Sequence, residues 1–72
     1  MSVWIVSFLE EWNLRVFNTA EKAYECLCEY IKDNYDEDDN VDGILANLKA
    51  EYSNPNNFGA DDIGFAERYE VE

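Results

Sequence analysis

The sequence predicts a small α+β domain, a short antiparallel sheet packed by two helices on one face, with elements in the order ββααβ. Three observations carry this. A β-branched and aromatic run opens the chain, two segments with helical apolar spacing occupy its middle, and an alternating aromatic stretch closes it. At 72 residues, 1–72 form a single domain with a small core. A formal charge of -12 would suit a disordered chain, but 47% apolar and 15% aromatic residues supply enough burial to fold one.

Residues 3–8 read Val-Trp-Ile-Val-Ser-Phe and are too short a run for a helix. Residues 14–17 read Leu-Arg-Val-Phe, with Leu14 and Val16 on one face. The intervening Leu9-Glu10-Glu11-Trp12-Asn13 has the length of a hairpin connection, which predicts a β-hairpin over residues 2–18. Asn18 or Thr19 then caps a helix running to about Asn34, with Glu21 at capping-box spacing from Asn18. Ala20, Ala23, Tyr24, Leu27, Tyr30 and Ile31 share one face of it. A second helix fits Val41 to about Tyr52 on the spacing of Val41, Ile44, Leu45, Leu48 and Tyr52, with Asp39 or Asn40 as its cap. Residues 53–64 hold the only proline and two of the three glycines and read as a loop. Residues 65–71 alternate as a strand, with Phe65, Tyr69 and Val71 on one side and Glu67 breaking the pattern.

The charge excludes several functions. Seventeen acids against five bases make direct binding to nucleic acid or an anionic membrane repulsive. Without histidine there is neither histidine catalysis nor histidine metal ligation. Two cysteines are too few for the disulfide framework of a small secreted domain. No basic stretch precedes an apolar run at the N-terminus, so no signal peptide is expected, and the apolar run at residues 3–6 is far short of a membrane span. The expectation is a cytoplasmic protein with reduced thiols.

Three pieces of the chain carry a resemblance. They are the apolar opening at residues 3–8, the helix start Val16-Phe17-Asn18-Thr19-Ala20-Glu21-Lys22-Ala23, and the closing Tyr69-Glu70-Val71. In them the chain resembles small acidic phage and mobile-element α/β proteins, a resemblance that covers about half of the sequence. Residues 36–64 are additional to that pattern. Most such proteins have no assigned activity, but some inhibit host defence, anti-CRISPR proteins among them. The resemblance implies a phage-like α/β protein, acting in host cytoplasm if phage-encoded, and transfers no functional residue.

The acids themselves suggest a function. Glu21, Glu25 and Glu29 step by four residues, about 6 Å of helix rise each, and Asp33, Asp36, Glu37, Asp38, Asp39 and Asp42 extend the series. Like charges at that spacing destabilise a helix, by about 0.2–0.5 kcal/mol per pair. A row of carboxylates has the sign of a phosphate strand, so it suits a basic nucleic-acid channel and would associate fast and salt-sensitively. The plainer reading is a solvated, solubilising face, and Lys22 and Lys32 within it weaken the mimicry.

Other constellations carry less. Asp38-Asp39-Asn40-Val41-Asp42-Gly43 matches the first half of a calcium loop, with ligands from Asp38, Asn40, Asp42 and the Ile44 carbonyl. Its twelfth position is Lys49, where a bidentate Glu is needed. Cys26 and Cys28 point about 200° apart on one helix and cannot bridge, and mid-helix positions among glutamates offer no cation to activate a thiolate. Asp61-Asp62 and Glu10-Glu11 are carboxylate pairs by type, but nothing indicates a concave pocket around them. Trp12 and Phe58 are the aromatics expected to be exposed, and Trp12 is the candidate interface residue.

These observations lead to one expectation: a non-enzymatic acidic inhibitor, without cofactor, that binds a basic nucleic-acid-binding protein or nuclease by nucleic-acid mimicry. Its partner-binding residues would be Glu21, Glu25, Glu29, Asp33, Asp36, Glu37, Asp38, Asp39 and Trp12. The alternative is an adaptor or assembly module that pairs through its sheet edge and aromatics, with charge serving solubility. A degenerate calcium module is the third reading.

Overall fold

The structure is a computed structural model and describes residues 1–10, 14–60 and 63–71. β1 (Ser2–Phe8) and β2 (Arg15–Phe17) form the expected antiparallel hairpin, in which Ile5 faces Val16. α1 (Ala20–Asn34) follows, and Thr19 caps it by accepting a hydrogen bond from the Lys22 N–H at 3.2 Å. A single 3-10 turn (Glu37–Asp39) leads into α2 (Val41–Glu51). β3 (Asn57–Ala60) and β4 (Gly64–Glu70) complete a four-stranded antiparallel sheet of order β2-β1-β4-β3. The β1–β4 pairing of the two longest strands, Ser2 opposite Glu70 through Phe8 opposite Gly64, is the spine of the fold.

The predicted class is correct, and the element order gains one strand. Residues 53–64 are not all loop, because β3 lies inside them. The turn residues Asn54, Pro55 and Asn56 leave a strand of only four residues, too short to show a period. Tertiary packing holds it. Phe58 is 1% exposed and not a surface aromatic, because Tyr24 and Tyr52 enclose its ring edge-on. Those two tyrosines stack at 4.3 Å with 9° between their planes, which ties α1 to the end of α2.

Both helices pack on the same side of the sheet. Ala23, Leu27 and Ile31 of α1 and Leu48 of α2 join Val6, Phe8, Phe58, Ala60 and Ala66 in one buried cluster. That fixes the parity of β4. Gly64 and Ala66 face the helices, so Phe65, Tyr69 and Val71 face away, contrary to the natural assumption that the aromatic side of the tail is the core side. Close packing is the reason. A Cβ on Gly64 would lie 2.7 Å from the Ser7 carbonyl oxygen, 2.8 Å from Phe8 and 3.4 Å from Leu27, so only small residues fit here. Leu14 and Val16 likewise stand outward, at 62% and 61% exposure.

Candidate functional site

α1 presents its apolar stripe to the sheet, so its opposite side must be solvated. Glu21, Glu25, Glu29 and Asp33 are all exposed along that side and cover about 18 Å of helix rise. The chain then turns through Tyr35 into the 3-10 segment. The Asp36 carboxylate accepts from the Asp38 N–H at 2.9 Å, and the Asp39 carboxylate accepts from the Asp36 N–H at 3.2 Å, a reciprocal capping box. This box fixes Asp36 and Asp39 and leaves the carboxylates of Glu37 and Asp38 free to project. All four are exposed. The predicted acids Glu21, Glu25, Glu29, Asp33, Asp36, Glu37, Asp38 and Asp39 are thus all exposed, along α1 and the 3-10 turn that follows it.

No ion pair among the described residues neutralises this surface. The described ion pairs join the N-terminal ammonium and Arg68 to Glu70, at the far end of β4. Among the described residues Lys22 and Lys32 form no ion pair with these acids, and both stay exposed on α1, where they dilute the negative field. Trp12 lies outside the described residues, as do Glu11, Asp61 and Asp62.

Two expectations about chemistry change. Cys26 does have a cation beside it: Arg15, on the neighbouring β2, donates from Nη1 to Cys26 Sγ at 3.5 Å and stands 5.3 Å above the Phe8 ring. Sequence spacing along α1 could not show this, because the cation comes from another element. Both thiols are unbridged, Cys26 buried and Cys28 half-buried. Burial, then a hydrogen bond with Cys28, raises the Tyr24 hydroxyl above its ordinary value.

The fold also has a concavity. An open depression of about 630 Å³ separates α2 from β3, with Ile44, Ala50, Ala60 and Ile63 among its lining. Glu51 is its one charged lining residue among the described residues, which does not make an acid–base pair. The calcium half-motif is divided between two elements. Asp38 sits in the 3-10 turn, Asn40 is left-handed, and Asp42 and Ile44 are already helical, with the Ile44 N–H donating to the Asn40 carbonyl at 3.1 Å. A calcium loop would leave those residues unwound.

One feature was not foreseen. Every large apolar side chain that is exposed among the described residues (Met1, Leu9, Leu14, Val16, Phe65, Tyr69 and Val71) lies on the helix-free side of the sheet or at its ends. The alternation of Phe65, Tyr69 and Val71 was the available signal, but alternation does not say which side is inside. Glu67 shares this side, and its carboxylate accepts from the Tyr69 hydroxyl at 2.8 Å.

The fold and its surfaces thus define a two-layer α+β domain, with exposed acids on the helix layer and exposed Val16, Phe65 and Tyr69 around Glu67 on the open sheet. Compared with known protein families, curated proteins and solved structures, the chain matches none. Among the described residues no helix is long and apolar enough to cross a membrane.

Proposed function

We propose that this protein is a non-enzymatic acidic inhibitor of the phage type, acting in the host cytoplasm. Its helix layer occupies the nucleic-acid site of a basic host protein, such as a CRISPR effector or another defence nuclease. The observation that supports this reading is the run of exposed acids from Glu21 to Asp39 along α1 and the 3-10 turn, which no ion pair among the described residues neutralises. Keeping like charges in register along one helix costs stability, since each i,i+4 pair opposes helix formation by about 0.2–0.5 kcal/mol. A surface retained against that cost suits a partner that supplies the missing cations. Steering by a -12 body makes the encounter fast at low salt and weak at high salt.

The test is capture from bacterial lysate on the immobilised protein, with salt elution and competing duplex DNA. Recovery of a basic nucleic-acid enzyme, released by salt and displaced by DNA, is expected. The triple variant Glu25→Lys, Glu29→Lys, Asp33→Lys should lose that target while keeping its circular dichroism spectrum. Full inhibition by the triple variant overturns the reading. So does a non-basic partner held through high salt and indifferent to DNA, which favours the adaptor.

A further inference from the structure

β3 is an edge strand of the sheet, and its ladder partner is β4 alone. The Arg68 N–H donates to the Asn56 carbonyl at 2.9 Å, a hydrogen-bonded rung that continues the β3–β4 ladder. In antiparallel pairs such rungs alternate with unbonded ones. Phe58 and Ala60 therefore bond to β4, whereas Gly59 turns its N–H and C=O away from it. No hydrogen bond within the described residues takes up either group, although Gly59 is buried. A buried donor and acceptor left unpaired are costly, and a partner that supplies both groups removes that cost.

Gly59 lines the depression of about 630 Å³ between α2 and β3. A Cβ on Gly59 would lie 2.6 Å from the Gly64 carbonyl oxygen and 2.8 Å from Phe65 Cδ1, so the Cα side is filled and Gly59 offers the depression its backbone. α2 contributes Ile44, Asn47 and Glu51, one side of the helix over about 10 Å of rise. Ala60 and Ile63 add apolar surface. We propose that this edge binds an extended peptide segment of a partner protein as an added antiparallel strand. In that segment an apolar residue and a lysine or arginine flank the residue that pairs with Gly59.

Each requirement comes from the groove. Antiparallel pairing lets one peptide residue exchange both hydrogen bonds with Gly59, which sets the register. Its two neighbours then stand opposite Phe58 and Ala60, which belong to the buried cluster under the helices, so their side chains turn towards α2. One of them fills the apolar part at Ile44, Ala60 and Ile63. The other meets Glu51, the one charged lining residue among the described residues, and a chain of charge -12 steers a basic segment towards it. A second copy of this chain is the poorer occupant, because β3 holds no cation and would bring a second Glu51 to the first. None of the acids from Glu21 to Asp39 lines the depression, so this site is independent of the function proposed above.

NMR titration of the isotope-labelled full chain at about 0.15 M salt tests it. The probes are acetyl-Thr-Val-Thr-Lys-Thr-amide and acetyl-Thr-Lys-Thr-Val-Thr-amide, which place the apolar and basic residues in both orders. One of the two should saturate with a Kd of about 0.1–1 mM. The Gly59 amide proton should move downfield as it gains an acceptor, with the other large shifts at Ala60 and from Ile44 to Glu51. N-methylation of the central threonine removes the donor to the Gly59 carbonyl and should abolish binding. Glu51→Gln should weaken binding about two- to fivefold. Asp42→Asn loses the same charge on α2 outside the depression and should bind as the wild type does. Saturation by neither peptide up to about 5 mM overturns the proposal. So does equal binding of the N-methylated peptide, an equal effect of the two variants, or shifts centred elsewhere. A Gly59 amide that moves with protein concentration alone assigns the edge to a second copy and also overturns it. The titration contains no basic target, so its failure and that of the proposed function are read separately.

Discussion

The Tyr69 hydroxyl donates to Glu67 Oε2 at 2.8 Å across the open face of the sheet, two residues along the same strand. The hydrogen bond and the negative charge of Glu67 both hold the Tyr69 proton, so its pKa lies above the ordinary 10.0. A raised pKa in the folded state contributes stability below the unfolded value, and that stability is lost as pH rises through the folded value. Tyr69 should therefore titrate above the ordinary 10.0 by NMR, and Glu67→Gln should lower its midpoint. An unchanged midpoint would show that the bond is absent in solution.

Glu70 behaves in the opposite sense. The Ser2 hydroxyl is the largest influence holding its carboxyl below the ordinary 4.5, and Arg68 and the N-terminal ammonium act in the same direction. A depressed pKa stabilises the fold above the unfolded value and ceases to do so as pH falls through the folded one. Ser2→Ala should raise the Glu70 midpoint measured by NMR and weaken the fold more at neutral pH than in strong acid.

Phe58 anchors β3 to both helices through Tyr24 and Tyr52. Truncating a buried Phe to Ala costs about 3–5 kcal/mol. A chain of 72 residues has only about 4–11 kcal/mol in total. Phe58→Ala should therefore leave the protein largely unfolded at 37 °C by circular dichroism, whereas Phe58→Leu should stay folded with a lower Tm.

Asn40 links the 3-10 turn to α2 with φ 61° and ψ 47°, the left-handed region. Asn40→Ala should cost about 1–2 kcal/mol in chemical denaturation, and Asn40→Gly should be near neutral. At the start of α1, Thr19→Ala should cost about 1 kcal/mol because Lys22 loses its acceptor.

Glu25 has like charges four residues away on both sides, Glu21 and Glu29. Glu25→Gln should stabilise the fold by about 0.4–1 kcal/mol in low salt, with the gain shrinking as salt is added. If the proposed function holds, the same variant weakens target binding. A stability gain without loss of binding would assign the charge to solubility.

The elements were largely legible in the sequence because each is encoded locally. The 3.6-residue spacing of Ala23, Leu27 and Ile31 and of Ile44 and Leu48, with Thr19 at the start of α1 and Asn40 at the start of α2, marks both helices without reference to the rest of the chain. The acidic surface was legible for the same reason. Glu21 to Asp33 share a side whenever that segment is helical, and burial of the apolar stripe sends the acids to solvent.

β3, the location of Phe58 and the cation beside Cys26 were not legible. Each depends on residues brought together from distant elements: Tyr24 and Tyr52 around Phe58, and Arg15 against Cys26.

The sequence by itself determined the α+β class, both helices and the sign of the charged side, because propensity, spacing and charge act over a few residues. Only the tertiary structure decided which side of the sheet is inside. Strand alternation is symmetric until one face is chosen, and that choice was made by the close approach of Leu27 and Phe8 to Gly64, which left Phe65 and Tyr69 on the open face.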